Sequence, residues 1–155
     1  MLDLKAEVLI NGTLVGTGEL DNVSEPTGTF NRNMLNTINL ALTNGPAPIF
    51  PGNQLQVRVS VRNTCAAGSQ VLSGNARLWY NGAAVDKGKV DAGSRINATI
   101  GGGSRDYLLR IDSNNLLFLS TAAGSSRTSI DEFVDSSLPC PSRPFTAFGT
   151  WSITP

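Results

Sequence analysis

From Gln54 to Arg62 the side chains alternate without a break. Leu55, Val57, Val59 and Val61 fall on one side, and Gln56, Arg58, Ser60 and Arg62 on the other. Extended, such a segment has one dry face and one wet face; wound into a helix, it has neither. The same period of two recurs at Leu4/Ala6/Val8/Ile10, Ile38/Leu40/Leu42, Ala76/Leu78/Tyr80, Ile96/Ala98/Ile100 and Phe145/Ala147/Gly149/Trp151/Ile153. Tyr107 to Ile111 and Leu116 to Leu119 are two further apolar runs. Between these segments lie Asn11-Gly12, Asn44-Gly45-Pro46, Asn81-Gly82, Asp91-Ala92-Gly93-Ser94, Gly101-Gly102-Gly103 and Ser113-Asn114-Asn115. Asn-Gly suits a two-residue hairpin turn, because both central residues of a type I′ turn need positive φ. About nine short strands at nearly regular spacing predict a sandwich or barrel. The expected fold is an all-β, antiparallel β-sandwich, immunoglobulin-like or jelly-roll-like, with an N-terminal hairpin or arm.

The first expected hairpin pairs the opening strand with a return from Thr13 to Gly18. Asp21 to Asn33 is rich in Asn, Thr, Ser and Gly and reads as a long loop. Pro46 to Pro51 holds three prolines and reads as an extended connector. Residues 1–45 are thus expected to be a hairpin or arm that pairs with the body or with a neighbouring subunit, and residues 46–155 the sandwich body. Only Thr128 to Val134 admits a short helix, with Ser129 as cap and Glu132 closing a capping box; a strand competes there.

Length and composition narrow the function. At 155 residues this is one domain, or one domain with an arm. Gly, Ser, Asn and Thr make up 58 of those residues, as a chain with many turns requires. Lys plus Arg and Asp plus Glu are equal at 12 each, so nothing at the whole-chain level draws the protein to nucleic acid. No apolar run is long enough for a membrane-spanning helix. His is absent, which removes Ser-His and Cys-His catalysis and every His-containing metal site. No cofactor or metal is expected, and no catalytic residue.

The opening residues Met-Leu-Asp-Leu-Lys-Ala-Glu carry charges where a signal peptide needs an apolar stretch. They read as a cytoplasmic-looking translation start, or as a chain from which a leader has been removed. The two cysteines, Cys65 and Cys140, are 75 residues apart. Paired, they would stabilise the fold by ~4 kcal/mol in the loop-entropy view. Unpaired, they would be two buried thiols. Both readings stay open.

Asp131, Glu132 and Asp135 cluster as an acid–base pair on a glycoside would, but no apolar pocket to raise one pKa is visible, so they read as a solvated helix face or loop. Asp112-Ser113-Asn114-Asn115 resembles a calcium loop but lacks its sixth-position Gly and distal Glu, so it reads as a turn. Gly101-Gly102-Gly103-Ser104-Arg105 lacks the strand-to-helix context of a phosphate loop and reads as a hairpin tip. Asn11, Asn22 and Asn97 open Asn-x-Ser/Thr triplets, at a frequency chance alone supplies. The large amphipathic aromatics Trp79, Tyr80, Tyr107 and Trp151 are the candidates for an interface or a ligand platform. Strand parity puts Trp79 on the face opposite Leu78 and Tyr80; a core Trp is the competing placement.

Pro51-Gly52, the Leu55-to-Val61 strand and Arg62-Asn63, followed by Arg77-Leu78-Trp79-Tyr80-Asn81-Gly82, Val85, Val90 and Ala92-Gly93-Ser94, resemble the immunoglobulin-like CARDB repeats of bacterial surface proteins. The resemblance covers about residues 51–111 and departs where Thr64-Cys65 replaces the Gly that often follows the Asn. It implies a fold class and, with it, an adhesion or carbohydrate-binding role at a cell surface. It carries over no functional residue.

The expected function is therefore non-enzymatic. The first reading is a structural subunit of a large assembly, a virion protein such as a capsid decoration (cement) protein, located in the virion and partnered by other protein subunits. The second is a secreted or cell-surface immunoglobulin-like module.

Overall fold

The computed structural model describes residues 1–24, 35–65, 73–82, 93–100, 102–124, 126–139 and 143–154. Ten strands and no helix occur among them. The strands are β1 (Leu2–Ile10), β2 (Thr13–Val23), β3 (Ala41–Leu42), β4 (Leu55–Asn63), β5 (Gly74–Tyr80), β6 (Arg95–Ile100), β7 (Gly103–Ile111), β8 (Leu117–Ser120), β9 (Thr128–Val134) and β10 (Thr146–Ile153). Eight form a curled sheet in the order β3-β2-β1-β4-β10-β8-β7-β6, and β5 and β9 form a second sheet. All neighbours run antiparallel except β10 and β8. The architecture is an all-β sandwich, as the alternation predicts.

The first turn forms as its dipeptide dictates. Asn11 has φ of 50° and Gly12 of 80°, and Ile10 pairs with Thr13. The turn is also fastened sideways to β4. Gly12 N–H donates to Gln56 Oε1 at 2.8 Å, and Gln54 N–H donates to Asn11 Oδ1 at 2.8 Å. β1 then pairs with β4 from Ile10↔Leu55 to Leu2↔Asn63, so it lies inside the large sheet between β2 and β4.

Three segments differ from the sequence expectation, and a fourth, left open between helix and strand, is decided. β2 does not stop at Gly18 but continues to Val23, beyond a register shift between Leu2 and Leu4. Asn22 accommodates the shift with φ of 59°, donating its N–H to Asp3 Oδ1 at 3.0 Å while its Oδ1 accepts from Thr64 Oγ1 at 2.6 Å. Residues 25–33 of the expected loop lie outside the described residues. β3 is only Ala41–Leu42, and the chain before it passes Gly18 so closely that a Cβ there would collide with the Asn39 carbonyl. Thr128–Val134 is a strand and not a helix, with β5 hydrogen-bonded along its whole length. One isolated helical turn cannot compete with a full ladder of backbone bonds. In β10 a bulge between Ala147 and Gly149 breaks the expected alternation, and Phe148 rather than Ala147 is buried.

The return arm of the hairpin expected at Asn81-Gly82 lies outside the described residues. β5 pairs with β9, and the next described strand, β6, belongs to the other sheet. Asn81 ties the two sheets together. Its N–H donates to the Leu109 carbonyl at 2.9 Å, and its own carbonyl accepts from Gly124 N–H at 2.8 Å. Its Oδ1 accepts from Arg110 Nε and Ile111 N–H, both at 3.1 Å. Val85, Val90 and Asp91-Ala92 lie outside the described residues. The Ser113-Asn114-Asn115 hairpin forms between β7 and β8.

Val8, Leu55, Val57, Val61, Leu109 and Leu119 of the large sheet share one core with Ala76, Tyr80 and Val134 of the small one. Burial of such side chains, at ~25 cal/mol per Å² of apolar area, is what holds the sheets face to face. The outer face of β1 and β4 carries cross-strand charge pairs instead. Arg58 Nε donates to Glu7 Oε2 at 2.7 Å, and Arg62 Nε donates to Asp3 Oδ2 at 3.0 Å. Burial pushes both carboxyls up. The Asn22 N–H and Arg62 at Asp3, and Arg58 and Lys5 at Glu7, outweigh it and hold both below the usual carboxylate range. Arg62 also lies 4.3 Å over the Phe145 ring.

Candidate interaction surface

The four candidate aromatics divide. Tyr80, Tyr107 and Trp151 are core residues, with Trp151 fully buried. Trp79 alone among them stands on an outward face, that of β5, as parity with Leu78 requires. Register aligns the outward residues of the small sheet: Trp79 with Ser129, Arg77 with Asp131, and Asn75 with Phe133.

Two guanidinium groups hold the indole. Arg127, which enters β9, lies 3.6 Å from the Trp79 ring centroid, and Arg77 lies 5.5 Å from it. Arg77 is fixed by a two-pronged pair, Nε to Asp131 Oδ1 and Nη2 to Asp131 Oδ2, both at 2.6 Å. Arg77 pulls the Asp131 carboxyl below its ordinary value, and Asp131 raises Arg77 in return. Arg127 Nη1 is buried and has no hydrogen-bond partner among the described residues. Phe133, at the far end of the same face, is 60% exposed. A half-buried indole flanked by two guanidinium groups and an open phenyl ring therefore share one outward face. Such a surface can dock another protein.

Neither Arg127 nor Phe133 stood out in the sequence. Phe133 sits in the segment with two competing assignments, and its outward position follows only once that segment is a strand. The Arg77–Asp131 pair joins residues 54 apart in the chain, a distance no local pattern bridges.

The remaining candidates are placed as follows. Asp131 and Glu132, adjacent on a strand, point to opposite faces and cannot work as a pair. Asp135 is occupied by its own turn, accepting from Ser137 Oγ at 2.6 Å and from Ser137 N–H at 2.8 Å. Those bonds hold its carboxyl below the ordinary value. Asp112 likewise spends Oδ1 on Asn114 N–H and Leu116 N–H. Gly102 and Gly103 form the β6–β7 tip, and Gly101 lies outside the described residues. Of the three Asn-x-Ser/Thr triplets, Asn11 is held in its turn and Asn22 in its bulge. Asn97 is exposed on β6 with its Nδ2 donating to Asp106 Oδ1 at 2.8 Å. Cys65 is disulfide-bonded, and Cys140 lies outside the described residues. Among the described residues no cluster of three or more His, Cys, Asp or Glu could hold a metal, and no helix is long and apolar enough to cross a membrane.

A second surface is the edge of the large sheet. β2 spans eleven residues, but β3 pairs with it only at Gly16 and Thr17. Leu14 of β2 and Leu42 of β3 are exposed there. Comparison with protein-family models, curated proteins and solved structures returns no match.

Proposed function

We propose that this protein is a non-enzymatic structural subunit of a large assembly, of the kind that decorates a virus or phage capsid and cements neighbouring subunits. The observation that carries the reading is the outward face of β5 and β9, where an exposed Phe133 and a half-buried Trp79 stand on one hydrogen-bonded sheet. Aromatic side chains with few rotatable bonds bury large areas against a partner at small entropic cost. In this reading the protein acts mechanically: it buries apolar surface across a contact and raises the energy needed to separate the subunits.

Light scattering on the full chain over a range of concentrations tests this. A defined oligomer, weakened by Phe133→Ser with the fold intact by circular dichroism, is expected. A chain that stays monomeric at high concentration overturns it.

A secreted or cell-surface immunoglobulin-like module is the second reading, favoured by the bonded state of Cys65, which fits an oxidising compartment. Carbohydrate stacked on Trp79 would have to displace Arg127 from its ring. A glycan-array signal that disappears in Trp79→Ala would support this reading over the first.

A further inference from the structure

The chain contains three Asn-Gly dipeptides, at 11–12, 44–45 and 81–82, and the fold treats them differently. We propose that Asn44 is a site of spontaneous deamidation, and that the fold protects Asn11 and Asn81 from the same reaction.

The chemistry needs no enzyme. The main-chain nitrogen of the following residue attacks the Asn Cγ, closes a five-membered succinimide and expels ammonia. Water then opens the ring at one of its two carbonyls, leaving aspartate or an isoaspartyl linkage. Nothing is oxidised or reduced. Glycine in the second position gives the attacking nitrogen an unhindered approach. The nitrogen must lose its proton, and the carboxamide must be free to swing onto it.

At Asn11 both partners are tied. Gly12 N–H is spent on Gln56 Oε1, and the Asn11 carboxamide accepts from Gln54 N–H. At Asn81 the carboxamide oxygen accepts from Arg110 Nε and Ile111 N–H, and Gly82 is buried. Attack at either place must wait for local opening, which lowers the rate by the population of the open form. At Asn44 the restraint is weaker: Asn44 and Gly45 are both exposed, the Asn44 carboxamide makes no hydrogen bond among the described residues, and Gly45 is held by an isolated bridge to Thr43 and not by a side chain of another strand. The last anchor before it is Thr43 N–H to the Val15 carbonyl at 2.9 Å. Either product places a negative charge on a chain of zero formal charge, and the isoaspartyl product also inserts a main-chain methylene just after β3, which pairs with β2.

The test is peptide mapping by mass spectrometry after incubation of the full, folded chain at mildly alkaline pH, with isoaspartate quantified at each dipeptide. Asn44 is expected to convert at least about tenfold faster than Asn11 or Asn81. In urea the three rates should converge. Gln56→Ala, which frees the Gly12 nitrogen, should speed conversion at Asn11 and leave Asn44 unchanged. Conversion of Asn11 or Asn81 in the folded chain as fast as Asn44 overturns the proposal. So does an unchanged ranking in urea, because the fold would then not be the cause.

Discussion

Tyr80 and Trp151 meet edge to face, with ring centroids 6.2 Å apart and planes inclined at 61°. One ring comes from the small sheet and the other from the large, so this contact spans the sandwich. Trp151 is fully buried, yet its Nε1 has no hydrogen-bond partner among the described residues. Replacement with Ala leaves a large void and is expected to cost about 3–5 kcal/mol. Phe keeps most of the packing and removes the unpaired donor, so Trp151→Phe should cost about 1–2 kcal/mol. Urea denaturation checks both, and equal losses would contradict this account of the indole.

Acid should weaken the fold through its outer face. The Asp3 and Glu7 carboxyls lie below their ordinary values of 3.8 and 4.5 in the folded state. A carboxyl with a depressed folded pKa binds its proton more readily in the unfolded chain, so its stabilisation is complete above the unfolded value and disappears as pH falls through the folded one. Melting temperature is expected to hold from neutral pH to about 5 and to fall below about 4. Asp3→Asn should flatten that fall, and at neutral pH should cost about 1–3 kcal/mol because Arg62 loses its acceptor. An acid limb of unchanged steepness in the variant would remove Asp3 from the explanation.

The Asn11-Gly12 turn needs its glycine. With φ of 80°, Gly12→Ala is strained although a Cβ would meet open space, and about 1 kcal/mol should be lost. Gly74→Ala is the control, also open but without positive φ, and should change stability by less than about 0.5 kcal/mol. Equal effects at the two positions would show that turn geometry is not the reason.

Cys65 should resist alkylation in the denatured, unreduced chain and accept it after reduction. The mass of the linked peptide identifies its partner, expected to be Cys140. Reduction should lower stability by about 2–4 kcal/mol. A labelled Cys65 without reductant would show that the bond is absent in solution.

Much of the fold was legible wherever one face is dry and the other wet. β4 lies where its four alternating apolar residues put it, and the Asn11-Gly12 turn has the φ signs its residue types demand. The less legible parts share one cause. Thr128–Val134 satisfied a capping box and a strand pattern equally, and only the neighbouring β5 decided between them. The pairing of Gly74–Tyr80 with a strand about fifty residues further on was likewise beyond any local pattern.

The sequence by itself determined the class of object: an all-β chain of short amphipathic strands with turn residues between them, because side-chain period and backbone φ preference are local properties. Tertiary structure alone decided which strands share a sheet, which aromatics are core, and which one faces outward. Those outcomes depend on register, and register is set by burial summed over strands far apart in the chain. Trp79 and Trp151 are the same residue type at alternating strand positions. Only the packing of the second sheet against the first makes one a surface residue and the other the centre of the core.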